Sequence, residues 1–394
     1  MQLLPRPCPG TQCRASKFIS SRKIITPLAS RGFMSDSIKC TPLATTAAGF
    51  PSILRTEPPK PLPYPPMPTT RLFSAPAHHR SQSSNSSLSQ SGHYNESVSP
   101  LSEPKIHNIF EPATGTWQYI VSDPSTNSAV IIDAVLDYNP MTQEITTKSA
   151  DALLALIKKK GYTVSMILET HAHADHLTAA SYLQSQLSKS QPNSPVIGIG
   201  HRISQVQKTF GDKYEIGPEG YKTVFGKLFA DDETFPIGNL TGRAIHLPGH
   251  TPDHLGYMIG DNIFCGDSLF NTDLGTARAD FPGGSAESLY NSGRKVLELP
   301  DHIRVWVGHD YPSGNREPVP YMTVAEHKRE NKHLKEGVSE EEFVSMRKER
   351  DGGLAAPKLL HPSLQINIRG GRLPKETGSG LRLVHLPLRV QGKW

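Results

Sequence analysis

Cysteine is almost absent from most of this chain. Three of the four cysteines in 394 residues, Cys8, Cys13 and Cys40, lie near the start, leaving Cys265 alone in the remainder. One thiol cannot build an intrachain disulfide framework, and no Cys-x-x-Cys pair is present to grip zinc. Long apolar runs are also missing. Without a stretch of about 18 apolar residues there is no candidate for a membrane-spanning helix.

Acidic residues are missing from positions 1–35, where Arg6, Arg14, Lys17, Arg22, Lys23 and Arg31 stand among Ser, Ile and Phe. That is the composition of an organellar transit peptide. Arg71-Leu72-Phe73-Ser74 resembles the Arg-x-Phe-Ser cleavage pattern of mitochondrial presequences. The expected address is the mitochondrial matrix, with a disordered cytoplasmic tail as the alternative. Segment 58–68 is Pro-rich and 81–100 is dominated by polar residues, so neither can bury enough apolar surface to offset the entropy of ordering. Residues 1–100 hold 11 Lys/Arg against three acids, whereas the other 294 residues hold 31 basic and 34 acidic side chains. The positive balance therefore belongs to the leader. A near-neutral body excludes an extended basic face for nucleic acid. The expected division is a leader over 1–104, a folded body over 105–372 and a tail over 373–394.

From residue 106 the texture changes. Ile106–Glu111, Thr116–Val121 and Ala129–Val135 are β-rich runs separated by turn residues, which predicts a meander. Ser149–Lys160 carries a helical apolar stripe and stops at Gly161. Val164–Glu169 predicts a buried strand, Leu177–Leu187 a helix, Val196–Gly200 a strand and Ile203–Phe210 a helix. Strands near Thr241–Leu247, Leu255–Ile259, Asn262–Cys265 and Ile303–Val307 follow, with helices at Ala286–Leu297, Thr323–Leu334 and Ser339–Glu349. Strands interleaved with single helices predict sheet layers covered by helices.

The chemistry is concentrated in Thr170-His171-Ala172-His173-Ala174-Asp175-His176, directly after a predicted strand. Four metal-competent side chains within six residues are hard to explain as packing. Imidazole and carboxylate together suit zinc or non-haem iron, not calcium or a soft copper site. Downstream, His250 sits in Pro-Gly-His-Thr, Asp267 in Cys-Gly-Asp-Ser and His309 in Gly-His-Asp-Tyr, each after a predicted strand. Strand ends are where loops gather donors on a rigid scaffold. Lone histidines such as His246 and His254 fit the surface or a satisfied core better than a ligand position. Cys265, two residues before Asp267, is expected on the same strand face as a small buried side chain.

In motif, order and spacing this pattern resembles the metallo-β-lactamase superfamily. The resemblance implies an α/β fold, an αββα four-layer sandwich, as a catalytic domain over 105–372. It also implies that His171, His173, Asp175, His176, His250, Asp267 and His309 fill the seven ligand positions of two-metal members. Within the superfamily the chain resembles the persulfide dioxygenases, with glyoxalase II-type thioester hydrolases second. The strings that tip the balance are Gly266-Asp267, Arg278-Ala-Asp-Phe281, Leu289-Tyr-x-Ser292, Leu299-Pro300 and His309-Asp-Tyr311. Departures from the animal dioxygenases are Ala277 and Ala279 beside Arg278, an insertion around Tyr214–Asp231 and a longer segment past Pro312.

The dioxygenase resemblance implies one Fe(II) per chain on a facial triad of His171, His250 and Asp267. Three coordination positions then stay open for sulfur and dioxygen, so that glutathione persulfide is oxidised to sulfite and glutathione. His173, Asp175, His176 and His309 would orient that triad through hydrogen bonds. The hydrolase resemblance instead gives those four residues a second metal, with two Zn(II) per chain activating water against a thioester. Arg278 and Tyr311 resemble positions near a glutathione pocket, with an ion pair and a buried phenol as their structural alternatives. Asp310 is expected to be structural, and Asp133 to support the ligands from behind. A non-catalytic metal-binding member is the remaining alternative. The expected partners are small molecules, with no nucleic acid and no membrane, and a homo-oligomer is left open.

Overall fold

The computed structural model describes residues 103–312 and 314–393. The leader segments read above lie outside the described residues. Two six-stranded sheets dominate. In the first, β1 (Lys105–Glu111), β2 (Thr116–Ser122), β3 (Ser128–Ile132), β6 (Thr163–Leu168), β8 (Val196–Gly200) and β9 (Lys227–Phe229) lie side by side in that order. The second runs β10 (Thr234–Ile237), β11 (Leu240–His246), β12 (Leu255–Ile259), β13 (Asn262–Phe264), β14 (Arg304–Trp306) and β15 (Tyr321–Thr323). A small third sheet joins β4 (Val135–Asn139) to β5 (Glu144–Thr146) and β7 (Leu177–Thr178).

Side-chain alternation builds the layers. On β3, Val130 and Ile132 enter the core between the two large sheets, while Ile131 faces the helices outside. Tyr119, Leu168, Tyr257, Phe264 and Trp306 complete the inter-sheet core. Helices α1 (Lys148–Lys160), α2 (Ala180–Ser190), α3 (Ile203–Lys213) and α7 (Leu360–Asn367) cover the first sheet with Leu153, Leu183, Phe210 and Leu364. Helices α4 (Ala286–Leu297), α5 (Val324–Glu330) and α6 (Glu340–Gly352) cover the second with Leu289, Val324 and Phe343. This is the expected αββα sandwich. Each fully buried side chain of that size contributes roughly 1.5–3 kcal/mol.

Two predicted elements break where the site needs them to. The run Ala129–Val135 is interrupted at Asp133, which takes φ +52°, so β4 leaves in a new direction. The predicted helix Leu177–Leu187 begins only at Ala180, because Leu177 and Thr178 pair with β4 instead. Three helices gained or lost turns: α3 continues to Lys213, α6 to Gly352, and the segment predicted as Thr323–Leu334 is helical only over α5. Helix α7 and strands β5, β9, β10 and β15 were not anticipated.

Candidate metal centre

Every candidate ligand follows a strand at one end of the sandwich. His171 to His176 follow β6, His250 follows β11, Asp267 follows β13 and His309 follows β14. Tight backbone makes the approach possible. Gly266 takes φ +48°, and a Cβ there would lie 2.6 Å from Thr170 Oγ1 and 2.8 Å from His254 Nε2. A Cβ on Gly308 would fall 2.6 Å from Asp267 Oδ1. Glycine is the residue these positions allow.

The donors fall into two groups. His171, His250 and Asp267 can bring one ligand atom each within 4.8 Å of one another, and so can His173, Asp175, His176 and His309. Asp267 lies between them. Its Oδ2 is 3.6 Å from His250 Nε2, and its Oδ1 is 3.5 Å from His309 Nε2. Asp175 Oδ2 approaches His309 Nε2 to 3.0 Å.

Hydrogen bonds behind the imidazoles set which nitrogen faces inward. His250 Nδ1 donates to the Arg278 carbonyl at 2.7 Å, and His176 Nδ1 to the Leu177 carbonyl at 3.3 Å. His171 Nδ1 bonds Thr170 Oγ1 at 3.0 Å, and that hydroxyl donates to Asp133 Oδ2 at 2.8 Å. His173 is turned the other way, with Nε2 3.2 Å from Asp133 Oδ1, so its Nδ1 faces the centre. The left-handed backbone of Asp133 is thus explained: its carboxylate folds back to serve Thr170 and His173 together.

What remains is a set of buried atoms with no partner: His171 Nε2, His173 Nδ1, His176 Nε2, His309 Nε2 and Asp267 Oδ1. Buried polar atoms are normally satisfied. Five orphans aimed at two neighbouring points are what a cation site requires, and neutral imidazole with carboxylate is its donor chemistry. The residues fit a metal. Burial and the neighbouring imidazoles push His171 well down and His176 to about 3, favouring the neutral ring that a cation needs. Burial opposes ionisation of Asp175, but His309 and the other imidazoles hold its carboxyl down at about 2. Asp267 is pushed up by burial, which a cation would reverse.

Several supporting residues carried no sequence signal. Asn367, in α7, donates to the His173 and His176 carbonyls at 2.8 Å each and accepts from Thr178 N at 2.9 Å. Glu169 places a second carboxylate 3.2 Å from His173 Nε2. Asp253 accepts from Ala172 N at 2.9 Å. Only Glu169, ending a predicted strand beside the motif, could have been suspected.

The remaining candidates sort differently. His254 is buried, stacked on His171, and accepts from Asp267 N at 3.0 Å, a satisfied core position. Cys265 is fully buried, but β13 ends at Phe264, so strand alternation does not relate it to Asp267. Asp310 is structural, gripped by Arg316 at 2.7 Å. Arg278 lines a cavity of ≈ 120 Å³ with His250, but its guanidinium is engaged by Asp280 at 2.5 and 2.6 Å and by the Ala355 carbonyl at 2.8 Å. Arg278 therefore stands at that cavity as one half of an ion pair. Tyr311 does not fit its structural alternative of a buried phenol: it is 47% exposed, with its ring stacked on His309.

Comparisons with known proteins agree with this architecture. The model of the metallo-beta-lactamase superfamily matches residues 112–309. The chain is 45% identical to glyoxylase B2 of Dictyostelium discoideum, over 72% of this chain and 97% of that protein. It is 42% identical to a probable metallo-hydrolase of Burkholderia pseudomallei, over 72% and 98%. A mitochondrial persulfide dioxygenase of Mus musculus is 31% identical, over 68% and 88%. Among solved structures, ETHE1 from Myxococcus xanthus superposes with a TM-score of 0.54 at 27% identity, covering 68% of this chain and all of that one.

Proposed function

This chain belongs to the metallo-beta-lactamase superfamily, and from that premise we propose that it is a metal-dependent hydrolase of thioesters formed on a small thiol such as glutathione. The observation that carries the proposal is Asp267, whose two oxygens each face a different donor group. A carboxylate so placed suits a pair of cations. Relatives at 45% and 42% identity are named glyoxylase B2 and probable metallo-hydrolase, and these names favour this reading over the dioxygenase that the flanking strings suggested.

His171, His250 and Asp267 Oδ2 would hold one cation, and His173, Asp175, His176 and His309 the other, with Asp267 Oδ1 between. Such a pair, when bound, supplies Lewis acidity and water activation at neutral pH. The chain does the rest. Asp133, Thr170 and the Arg278 carbonyl lock the imidazoles so that no reorientation is needed during turnover. Ala174, Phe281, Pro282, Ala356, Pro357 and Leu360 line the cavity beside His250 and would hold an apolar part of the substrate away from water.

A second reading has its own support. His171, His250 and Asp267 form a compact set of two imidazoles and one carboxylate without help from the other group. That composition suits a single iron and oxidation of glutathione persulfide by dioxygen, and the persulfide dioxygenase of Mus musculus is a 31% identical relative. Purified protein decides the matter. Two metals per chain with thioester cleavage and no persulfide-dependent oxygen uptake is the expected result. One iron per chain with oxygen uptake and sulfite release would overturn the hydrolase.

A further inference from the structure

The insertion around Tyr214–Asp231 and the basic tail after residue 372 are the two segments that the functional reading leaves unused. They meet. Tyr214, Glu215, Ile216, Gly217, Glu219 and Gly220 form one side of a ≈ 460 Å³ cavity, and Arg369, Arg372, Lys375 and His385 are on the other. None of the candidate metal ligands lines it.

Its electrostatics are incomplete. Arg369 is half-buried, and its Nε is fully buried with no hydrogen-bond partner. Burial lowers its pKa, and no carboxylate forms an ion pair with it among the described residues. The tail's own acid, Glu376, is already taken by Arg382 at 2.7 Å, so it cannot serve. Arg372 and Lys375 join no ion pair among the described residues. A guanidinium taken out of water without a counter-charge is destabilising, and proteins normally pair it. Arg347, which is buried, also leaves its Nε without a partner, but it has a counter-charge: it is paired with Asp351 at 2.9 Å and donates to the Thr276 and Ala277 carbonyls. The chain therefore gives one guanidinium a carboxylate partner and leaves the other facing a cavity without one.

We propose that this cavity is a binding site for a small oxyanion-bearing molecule, with Arg369 as its main anchor and Arg372 and Lys375 at its rim. Guanidinium presents paired N–H donors that match a phosphate or carboxylate. The volume is that of a small-molecule site, not of a single ion. Glu215 and Glu219 on the facing wall would take hydroxyl or amino donors of the same ligand and disfavour polyanions. Because α7 carries Asn367 two residues before Arg369, an occupied site would also steady the helix end that grips the His173 and His176 carbonyls.

The test is calorimetric titration of the metal-loaded full chain with inorganic phosphate and, separately, with succinate, repeated on Arg369→Gln. Saturable binding of at least one probe, weakened tenfold or more in Arg369→Gln, is expected; which probe binds identifies the phosphoryl or carboxylate class. Binding of equal strength in both proteins would place it elsewhere, for instance at the metal centre, and would overturn the proposal. No saturable binding of either probe would do the same. Melting of the ligand-free proteins is the second readout. Arg369→Met removes a half-buried cation that has no carboxylate partner, so its melting temperature should equal or exceed that of the parent chain. A fall of several degrees would mean that Arg369 is a structural residue, and the site would be withdrawn.

Discussion

Replacing Asn367 by alanine removes three hydrogen bonds at a position that is only 3% exposed. The side chain donates to two carbonyls of the ligand loop and accepts from Thr178 N, so truncation leaves two buried acceptors and one buried donor without partners. At about 1 kcal/mol per lost bond the minimum loss is about 3 kcal/mol, and stranded polar groups at the upper end of their desolvation cost would raise it to roughly 5 kcal/mol or more. For a domain of this size each kcal/mol lowers the melting temperature by about 2–4 °C, so a fall of roughly 6–12 °C is expected from the minimum loss alone. The effect should also reach the metal. His173 and His176 are both in the second donor group, and freeing their backbone should weaken cation binding there by about 10–100-fold, as for other residues that orient ligands. Scanning calorimetry of the metal-free protein and chelator competition on the loaded protein measure the two effects separately. A variant that melts within 2 °C of the parent and keeps its full metal affinity would show that α7 does not brace the centre.

Three further outcomes are expected. His250→Ala should lose the cation of its own group and the activity together, read by metal analysis beside turnover; full metal with retained activity would remove His250 from the centre. Gly266→Ala puts a methyl group 2.6 Å from Thr170 Oγ1 on a left-handed backbone, so it should lower both the melting temperature and metal content; a neutral result would contradict the close approach. A fluorescent protein fused to residues 1–100 is expected in mitochondria, in keeping with the acid-free, arginine-bearing first 35 residues, and a cytosolic signal would count against import.

How much of this was legible in the residues follows from how far each interaction reaches along the chain. The motif His171–His176 announces itself because four donors share one loop, and strand ends mark His250, Asp267 and His309. The layers were legible too, since strands interleaved with single helices already called for sheets covered by helices. What was hidden is what depends on distant partners. Asn367 meets His173 across 194 positions, from a helix that is buried nearly all round and therefore shows no amphipathic stripe. Leu177–Thr178 looks helical in isolation and becomes a strand only because β4 lies beside it. Asp133 adopts φ +52° without a glycine to signal it, because three hydrogen-bond partners hold its carboxylate. The choice between one metal and two belongs to the same class. Seven donors in order are compatible with both, and the flanking strings pointed toward iron. The placement of Asp267, with one oxygen toward His250 and the other toward His309, is what favours the two-cation centre proposed above. Asp267 Oδ1 is buried without a hydrogen bond and 3.5 Å from His309 Nε2, and a second cation there would satisfy both atoms.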